Sequence, residues 1–351
     1  MGSICCPKIK KVGLKNIGAI CYMNSVLQCL YNIKQLTNFF LKKFTISEND
    51  PNKRLSNEYC IVIKNLDNSD NYNKSYSPVS FKNVLNQLYP MFSNISGNEP
   101  KDLINFLLER LHLELNTIVN NNINNNLMNP ILQLNENVMR ISFINDFISK
   151  NNSPISKLFY GVIETQTQCS NCCIIKYNFQ IFTHLDFPLQ QVNQYCFQTG
   201  KRMNVGFGNS DIDLYECFEY YESLFTMAGV NQIYCLVCQR AFNAQHRTLL
   251  FSIPNYLIIN LNRGSSELNV KFPEKLNLSN YAIYKDTNTI FDLIAVICRI
   301  NYSHFIAYCR SYKDNRWYKF DDSDITKCTR AKEYLNGIPQ ILFYKVSNYN
   351  A

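Results

Sequence analysis

The sequence predicts an α+β fold, and two observations carry that expectation. Apolar residues recur at three- and four-residue spacing through the first third of the chain, whereas from about Ile155 onward the pattern changes to short β-rich runs with Gly and Pro between them. Helices in front and strands behind, without regular alternation of the two, argue against a doubly wound parallel sheet. The chain has 351 residues, 46% of them apolar, which is ample for a buried core.

A helix is expected to begin at or just after Cys21, because Val26, Leu27, Leu30, Ile33 and Leu36 repeat at helical spacing as far as Phe40. Ser77 as N-cap, with Pro78 at the first helical position, opens a second helix bearing Phe81, Val84, Leu85, Leu88 and Phe92. A third runs from about Pro100 to Leu115, with Leu103, Phe106, Leu107, Leu111 and Leu115 on its buried side. Polar stretches at 47–56 and 67–77, and an Asn-rich insertion at 116–129, read as surface loops. Strands are expected at 158–167, 256–261, 291–298, 304–310 and 317–320, and the segment from Gln190 to Asp213 reads as a long loop.

Charge narrows the function classes. Lys and Arg total 35 against 27 Asp and Glu, a net +8, but only 18% of residues are charged and no long block of one sign stands out. Such a diffuse excess does not mark a nucleic-acid binder. No apolar run approaches the roughly 18 residues of a membrane span, and the N-terminus lacks the apolar core of a secretory signal, so a soluble intracellular protein is expected. Fifteen cysteines in such a chain are expected to be reduced, and therefore to serve as metal ligands, nucleophile or core.

Cys21 stands at the mouth of the first helix, after Asn16 and the turn residue Gly18. A helix N-terminus carries about half a positive charge and favours thiolate over thiol, which would prime Cys21 as a nucleophile. Asn16 lies where its amide can donate to an oxyanion. The competing reading is a small buried hydrophobe, and position alone favours it. A matching base far down the chain shifts the balance. Of the four histidines, His304 opens a strand, a polar turn follows at 313–315, and a second strand returns to Asp321 and Asp322. If the pair is an antiparallel hairpin, His304 faces residues 321–323, with Asp321 across from it or on the diagonal about 7–8 Å away. The result is a Cys-His-Asp arrangement with an early nucleophile and a late base. Asp322, alternating to the other side, is expected to bind water or support the oxyanion site.

Cys169-x-x-Cys172 and Cys235-x-x-Cys238 form two pairs beside strand-like runs, the four thiolates that a structural tetrahedral zinc takes. A redox dithiol is the alternative, disfavoured by the presence of two pairs, and Cys173 stands as a rival ligand to Cys172.

These stretches together resemble the ubiquitin-specific protease family of deubiquitinases. Gly13 to Leu27 is similar to the family's Cys box, and Ser303 to Asp322 to its His box, with Ala307-Tyr308 and Trp317-Tyr-x-Phe-Asp-Asp. Asp102 to Leu115, the C-x-x-C pairs, Ile253-Pro254 to Arg263 and Phe272-Pro273 follow in the family's order, so the likeness spans about residues 13–347. It implies a papain-like cysteine protease fold with a helical thumb, a β-sheet palm and zinc-bearing fingers at about 159–244, after a leader at 1–12. It also implies a thiol-dependent hydrolase cutting after the C-terminal Gly of ubiquitin. Cys21 is then the nucleophile, His304 the base, Asp321 its orienter, Asn16 the oxyanion donor, and zinc a structural ion on Cys169, Cys172, Cys235 and Cys238. Partners would be ubiquitin, polyubiquitin and ubiquitinated proteins. A catalytically silent ubiquitin-binding module and an enzyme for a ubiquitin-like modifier are the alternatives. Departures from the family's pattern are Ala19-Ile20 before the cysteine, Ser303 and Phe305 around the histidine, Pro100-Lys101 ahead of Asp102, and Gly264 after Arg263. Met1-Gly2-Ser-Ile-Cys5-Cys6 with nearby lysines resembles an acylation start, with myristate on Gly2 and palmitate on Cys5 or Cys6. The expected location is the cytoplasm, with the nucleus or a lipid-anchored membrane surface as alternatives.

Overall fold

A computed structural model describes residues 11–47, 50–68, 75–93, 98–118, 135–201, 211–264, 268–283, 288–301, 303–328 and 337–347. The acylation start at Gly2, Cys5 and Cys6, and the Asn-rich insertion from 119 onward, lie outside them. The chain forms two compact units, one of Met1–Leu115 with Leu293–Tyr344 and Ala351, the other of Asn116–Asp292 with Lys345–Asn350. The fold is α+β.

In the first unit the helix Cys21–Tyr31 is buried along all 11 of its residues, because it is apolar on most sides and the strand His304–Arg310 packs on it. Each fully buried Val or Leu there contributes about 1.5–3 kcal/mol. The expected continuous helix from Cys21 to Phe40 is in fact two. Asn32 and Ile33 interrupt it, with the Asn32 amide donating to the Gln28 carbonyl and Thr37 Oγ1 to that of Tyr31, and Lys34–Lys42 follows. Arg54–Asp67, unforeseen in the sequence, starts inside the stretch read as a loop and is capped from outside. The buried Glu114 carboxylate of the helix Pro100–Leu115 accepts from the Leu55 and Ser56 amides. The helix expected after Ser77 begins at Val79, since Pro78 is itself the N-cap and its carbonyl accepts from Lys82.

The sheet of this unit runs in the order Asp324–Lys327, Trp317–Asp321, His304–Arg310, Ile290–Ile300, Ile338–Val346. Its strand Ile290–Ile300 is buried continuously from Leu293 through Cys298, as a strand covered on both faces must be. Gly13–Leu14 pairs in parallel with Ser75–Tyr76.

The second unit holds a four-stranded sheet in the order Ile175–Phe182, Gly161–Cys169, Ala244–Ser252, Phe225–Met227. Gly161 is required where it is, because a Cβ there would meet the Phe182 ring at 2.4 Å. The helix Glu136–Lys150 lies against the strand Ile175–Phe182. The expected strand from Leu158 is displaced, since Pro154–Phe159 is a helix closed by a Ser153–Ser156 capping box. The expected loop from Gln190 to Asp213 is corrected as well. Leu189–Gln198 is a helix burying Leu189, Val192 and Cys196, and Ile212–Asp213 is a short strand leading into the helix Leu214–Glu222. Among the described residues, no helix is long and apolar enough to cross a membrane.

Candidate active site

All four sequence candidates for the chemistry lie in the first unit. The loop from Asn16 to Ile20 turns sharply through Gly18 (φ 124°) and Ala19 (φ 46°) and delivers Cys21 as the first residue of its helix. Asn16 Oδ1 accepts from the Gly18 and Ile20 amides at 3.2 and 3.3 Å, so the side chain braces its own loop. Its Nδ2 donates to Asp322 Oδ2 at 2.9 Å.

Cys21 is only 5% exposed, and its Sγ donates to the Ser303 carbonyl at 3.6 Å. The thiol therefore sits against the residue immediately before His304. Burial pushes it above the ordinary thiol range, the nearby Asp322 charge adds to that, and the Phe305 amide opposes it. Desolvation thus works against the stabilisation of thiolate that the helix terminus would give.

The histidine hairpin has the register that the sequence arithmetic requires. Ala307 faces Phe320 and Arg310 faces Trp317, which carries His304 to a position diagonal from Asp321 on the same face. The side chains meet, with His304 Nε2 2.7 Å from Asp321 Oδ1. Nδ1 is then the ring nitrogen left for proton transfer. Burial would raise the Asp321 carboxyl, but hydrogen bonds from His304 and Lys319 outweigh it and hold the group below the usual carboxylate range.

Asp322 has a left-handed backbone (φ 52°), and its carboxylate lies near both His304 and Asp321. Its carboxylate receives the Asn16 amide and, at 2.8 Å, the amide of Asn24. Asp322 thus ties the Asn16 loop and the Cys21 helix to the hairpin. Sequence reasoning passed over Asn24 and Lys319. The signals were a polar residue one turn after Cys21 inside a fully buried helix, and a lysine two residues before Asp321 on the same strand face. Beside these groups opens a polar cavity of about 520 Å³ lined by Lys15, Asn16, Ser75, Asp321, Asp322, Ser323 and Asp324. His304, Asp321 and Asp322 lie close enough to hold a metal, but both carboxylates are engaged by His304, Lys319, Asn16 and Asn24.

The second unit gathers Cys169, Cys172, Cys235 and Cys238, with all four sulfurs within 4.8 Å of one another. The two C-x-x-C turns are built alike. The residue after each second cysteine is left-handed, Cys173 at φ 60° and Gln239 at φ 56°, and its amide donates to the carbonyl of the first cysteine at 2.9 and 2.8 Å. Two matched turns facing each other present four soft donors at once, a set suited to a tetrahedral metal ion. Cys173 is exposed and stands outside the four.

The sequence profile described as ubiquitin carboxyl-terminal hydrolase matches residues 12–344. The chain belongs to that family. Human ubiquitin carboxyl-terminal hydrolase 21 is 24% identical over 364 residues, spanning 95% of this chain and 61% of that protein. Human ubiquitin carboxyl-terminal hydrolase 2 is also 24% identical, over 96% of this chain and 55% of its own length. The chain thus covers about six-tenths of the length of these curated relatives. Among solved structures, the SAGA DUB module Ubp8/Sgf11/Sus1/Sgf73 bound to monoubiquitin aligns over 98% of this chain and 70% of that one, at a TM-score of 0.72 and 19% identity. The same module bound to ubiquitin aldehyde gives a TM-score of 0.69 at 18% identity. These likenesses show the fold.

Proposed function

We propose that the chain is a cysteine-type deubiquitinase that hydrolyses the peptide or isopeptide bond after the C-terminal glycine of ubiquitin. The observation that carries the reading is the His304–Asp321 pair at 2.7 Å, beside a buried cysteine thiol at a helix start, in a chain of this family. His304 takes the Cys21 proton as Sγ attacks the glycine carbonyl carbon, and Asp321 holds the ring and offsets the charge it acquires. The oxyanion that forms is met by an N–H of Asn16, whose amide has a second hydrogen beyond the one given to Asp322. Collapse of the tetrahedral species breaks the C–N bond, and His304 returns the proton to the departing lysine amine. Water, with its proton again taken by His304, then attacks the thioester carbonyl and releases ubiquitin and the Cys21 thiol. A thiol whose ionisation burial opposes needs this base at the moment of attack.

The four cysteines of the second unit fit zinc by the chemistry of their donors, and Cys169, Cys172, Cys235 and Cys238 would hold it. Zinc there would supply folding stability to the two turns and take no part in the hydrolysis. Ubiquitin, polyubiquitin and ubiquitinated proteins are the proposed partners.

The deciding experiment is intact-mass analysis after incubation with ubiquitin bearing a C-terminal thiol-reactive group. One added ubiquitin in the wild type and none in Cys21→Ala supports both nucleophile and modifier. No adduct, with ubiquitin still bound, refutes the enzyme reading and leaves a binding module. Reaction only with a ubiquitin-like modifier carrying the same group refutes the assignment of substrate.

A further inference from the structure

The Asp321 carboxylate is shared. Oδ1 meets His304 Nε2 at 2.7 Å, and Oδ2 meets the ammonium of Lys319 at 3.1 Å. Strand period puts all three groups on one face, since Lys319 and Asp321 are two residues apart and Lys319 pairs across the hairpin with Tyr308, four residues after His304. Other groups bear on the imidazole from the elements packed around it. Cys21 comes from the helix. Asp322 comes from the turn, its charge spread over the amides of Asn16 and Asn24. Tyr308 shares the strand, its phenol kept neutral by burial. Lys319 is the cation in ion-pair contact with the orienting carboxylate.

We propose that Lys319 is a positioning residue for the hydrolysis: by occupying the second oxygen of Asp321, it fixes the plane of the carboxylate that orients His304 and competes with the imidazolium for the same negative charge. The proposal rests on the deubiquitinase reading. Its logic follows from the proton transfer that the attack requires. Attack by Cys21 Sγ requires its proton to leave, and a neutral imidazole is needed to receive it. An Asp321 devoted wholly to His304 would favour the imidazolium before substrate arrives and leave less free base. The ammonium takes part of that charge and also stops the carboxylate from rotating out of line.

The test follows the His304 ring resonance by NMR across pH in the wild type, Lys319→Met and Lys319→Arg, assigning it by its loss in His304→Gln. Methionine keeps most of the apolar stem and removes the charge. Lys319→Gln serves as the second uncharged variant should the first fold poorly. The ring midpoint should rise by about half a unit or more in the uncharged variants, because a cation one carboxylate away is lost, and stay with the wild type in Lys319→Arg. On a fluorogenic ubiquitin C-terminal amide, kcat at neutral pH should fall several-fold in the uncharged variants with KM little changed, and Lys319→Arg should restore it. A ring midpoint that does not move when the charge is removed overturns the proposal and leaves Lys319 as a surface ion pair. Wild-type protein that fails to hydrolyse the amide overturns the deubiquitinase reading instead, while the ring titration still reports on Lys319.

Discussion

Replacing Gly13 with alanine tests whether the backbone around Asp322 is held as tightly as the site requires. A Cβ at Gly13 would lie 2.5 Å from the Ser323 carbonyl oxygen and 2.8 Å from both its carbonyl carbon and its Cα. All are backbone atoms with no rotamer to yield. Reaching ordinary contact of 3.4 Å demands a movement of about 0.9 Å against the 2.5 Å clash. Leu14 limits that movement, since its amide is bonded to the Asp322 carbonyl at 2.9 Å. If the turn stays put, overpacking costs about 1–3 kcal/mol. If it moves, it carries Asp322 away from the Asn16 and Asn24 amides and drags Asp321, one residue earlier, off His304. A displacement near 1 Å at reacting groups costs up to about 100-fold in rate. The expected result is a kcat/KM on a fluorogenic ubiquitin amide reduced by roughly 10- to 100-fold, with urea unfolding showing a loss of no more than about 3 kcal/mol. Gly13→Ala with kcat/KM within twofold of the wild type and an unchanged urea midpoint would refute the reasoning.

Other consequences follow from single residues. Ala19 holds a left-handed φ of 46° without the Asn or Gly that tolerates it, so Ala19→Gly should raise stability to urea by up to about 1 kcal/mol after the added chain entropy of glycine is set against the relief. The four-thiolate reading expects about one zinc per chain by elemental analysis. Cys235→Ser should lower both zinc content and melting temperature, and metal-free protein of unchanged stability would exclude the role. Acid sensitivity should centre on Asp67, whose carboxylate accepts from Tyr31, Tyr312 and Lys313. Burial pushes Asp67 up, but the bonds from Lys313 and Tyr312 prevail and hold it below its ordinary value. Its contribution is therefore complete above the unfolded carboxyl value of about 3.9 and is lost as pH falls through the lower folded value. Urea midpoints measured between pH 5 and 2.5 should fall less steeply in Asp67→Asn than in the wild type.

What the sequence made legible depended on whether its signal was periodic. The meeting of His304 with Asp321 could be read off because a hairpin converts turn position into register, and a period of two then decides which of two neighbouring aspartates shares a face with the histidine. The four thiolates were legible because a two-residue spacing is itself a turn geometry. The helix Arg54–Asp67 was hidden by the polar residues that lead into it and by a cap that comes from Glu114, far along the chain. Glu136–Lys150 was hidden for another reason: its stripe of Met139, Phe143, Ile144 and Phe147 is only partly buried, and Ile141 and Ile148 on the other side face solvent and blur the period.

The electrostatics of the nucleophile were only half visible, on different grounds. A helix terminus is a local feature that a sequence displays, whereas desolvation is set by residues brought in from elsewhere, and at Cys21 the second effect is the larger. That imbalance links the site's remaining features. A thiol whose ionisation is opposed by burial passes the work of activation to His304. The base must then be both oriented and free of its proton. Asp321 alone serves the first need at the expense of the second, because the carboxylate that orients an imidazole also stabilises its charged form. Sharing that carboxylate with Lys319 on one side, and tying Asp322 to Asn16 and Asn24 on the other, keeps the orientation while dividing the charge. A chain in which Cys21 rested as thiolate would have no use for such a division. The alkylation rate of Cys21 against pH separates the two cases: it should climb only above the ordinary thiol range, and a plateau already reached at pH 6 would show a preformed ion pair and remove the reason for Lys319.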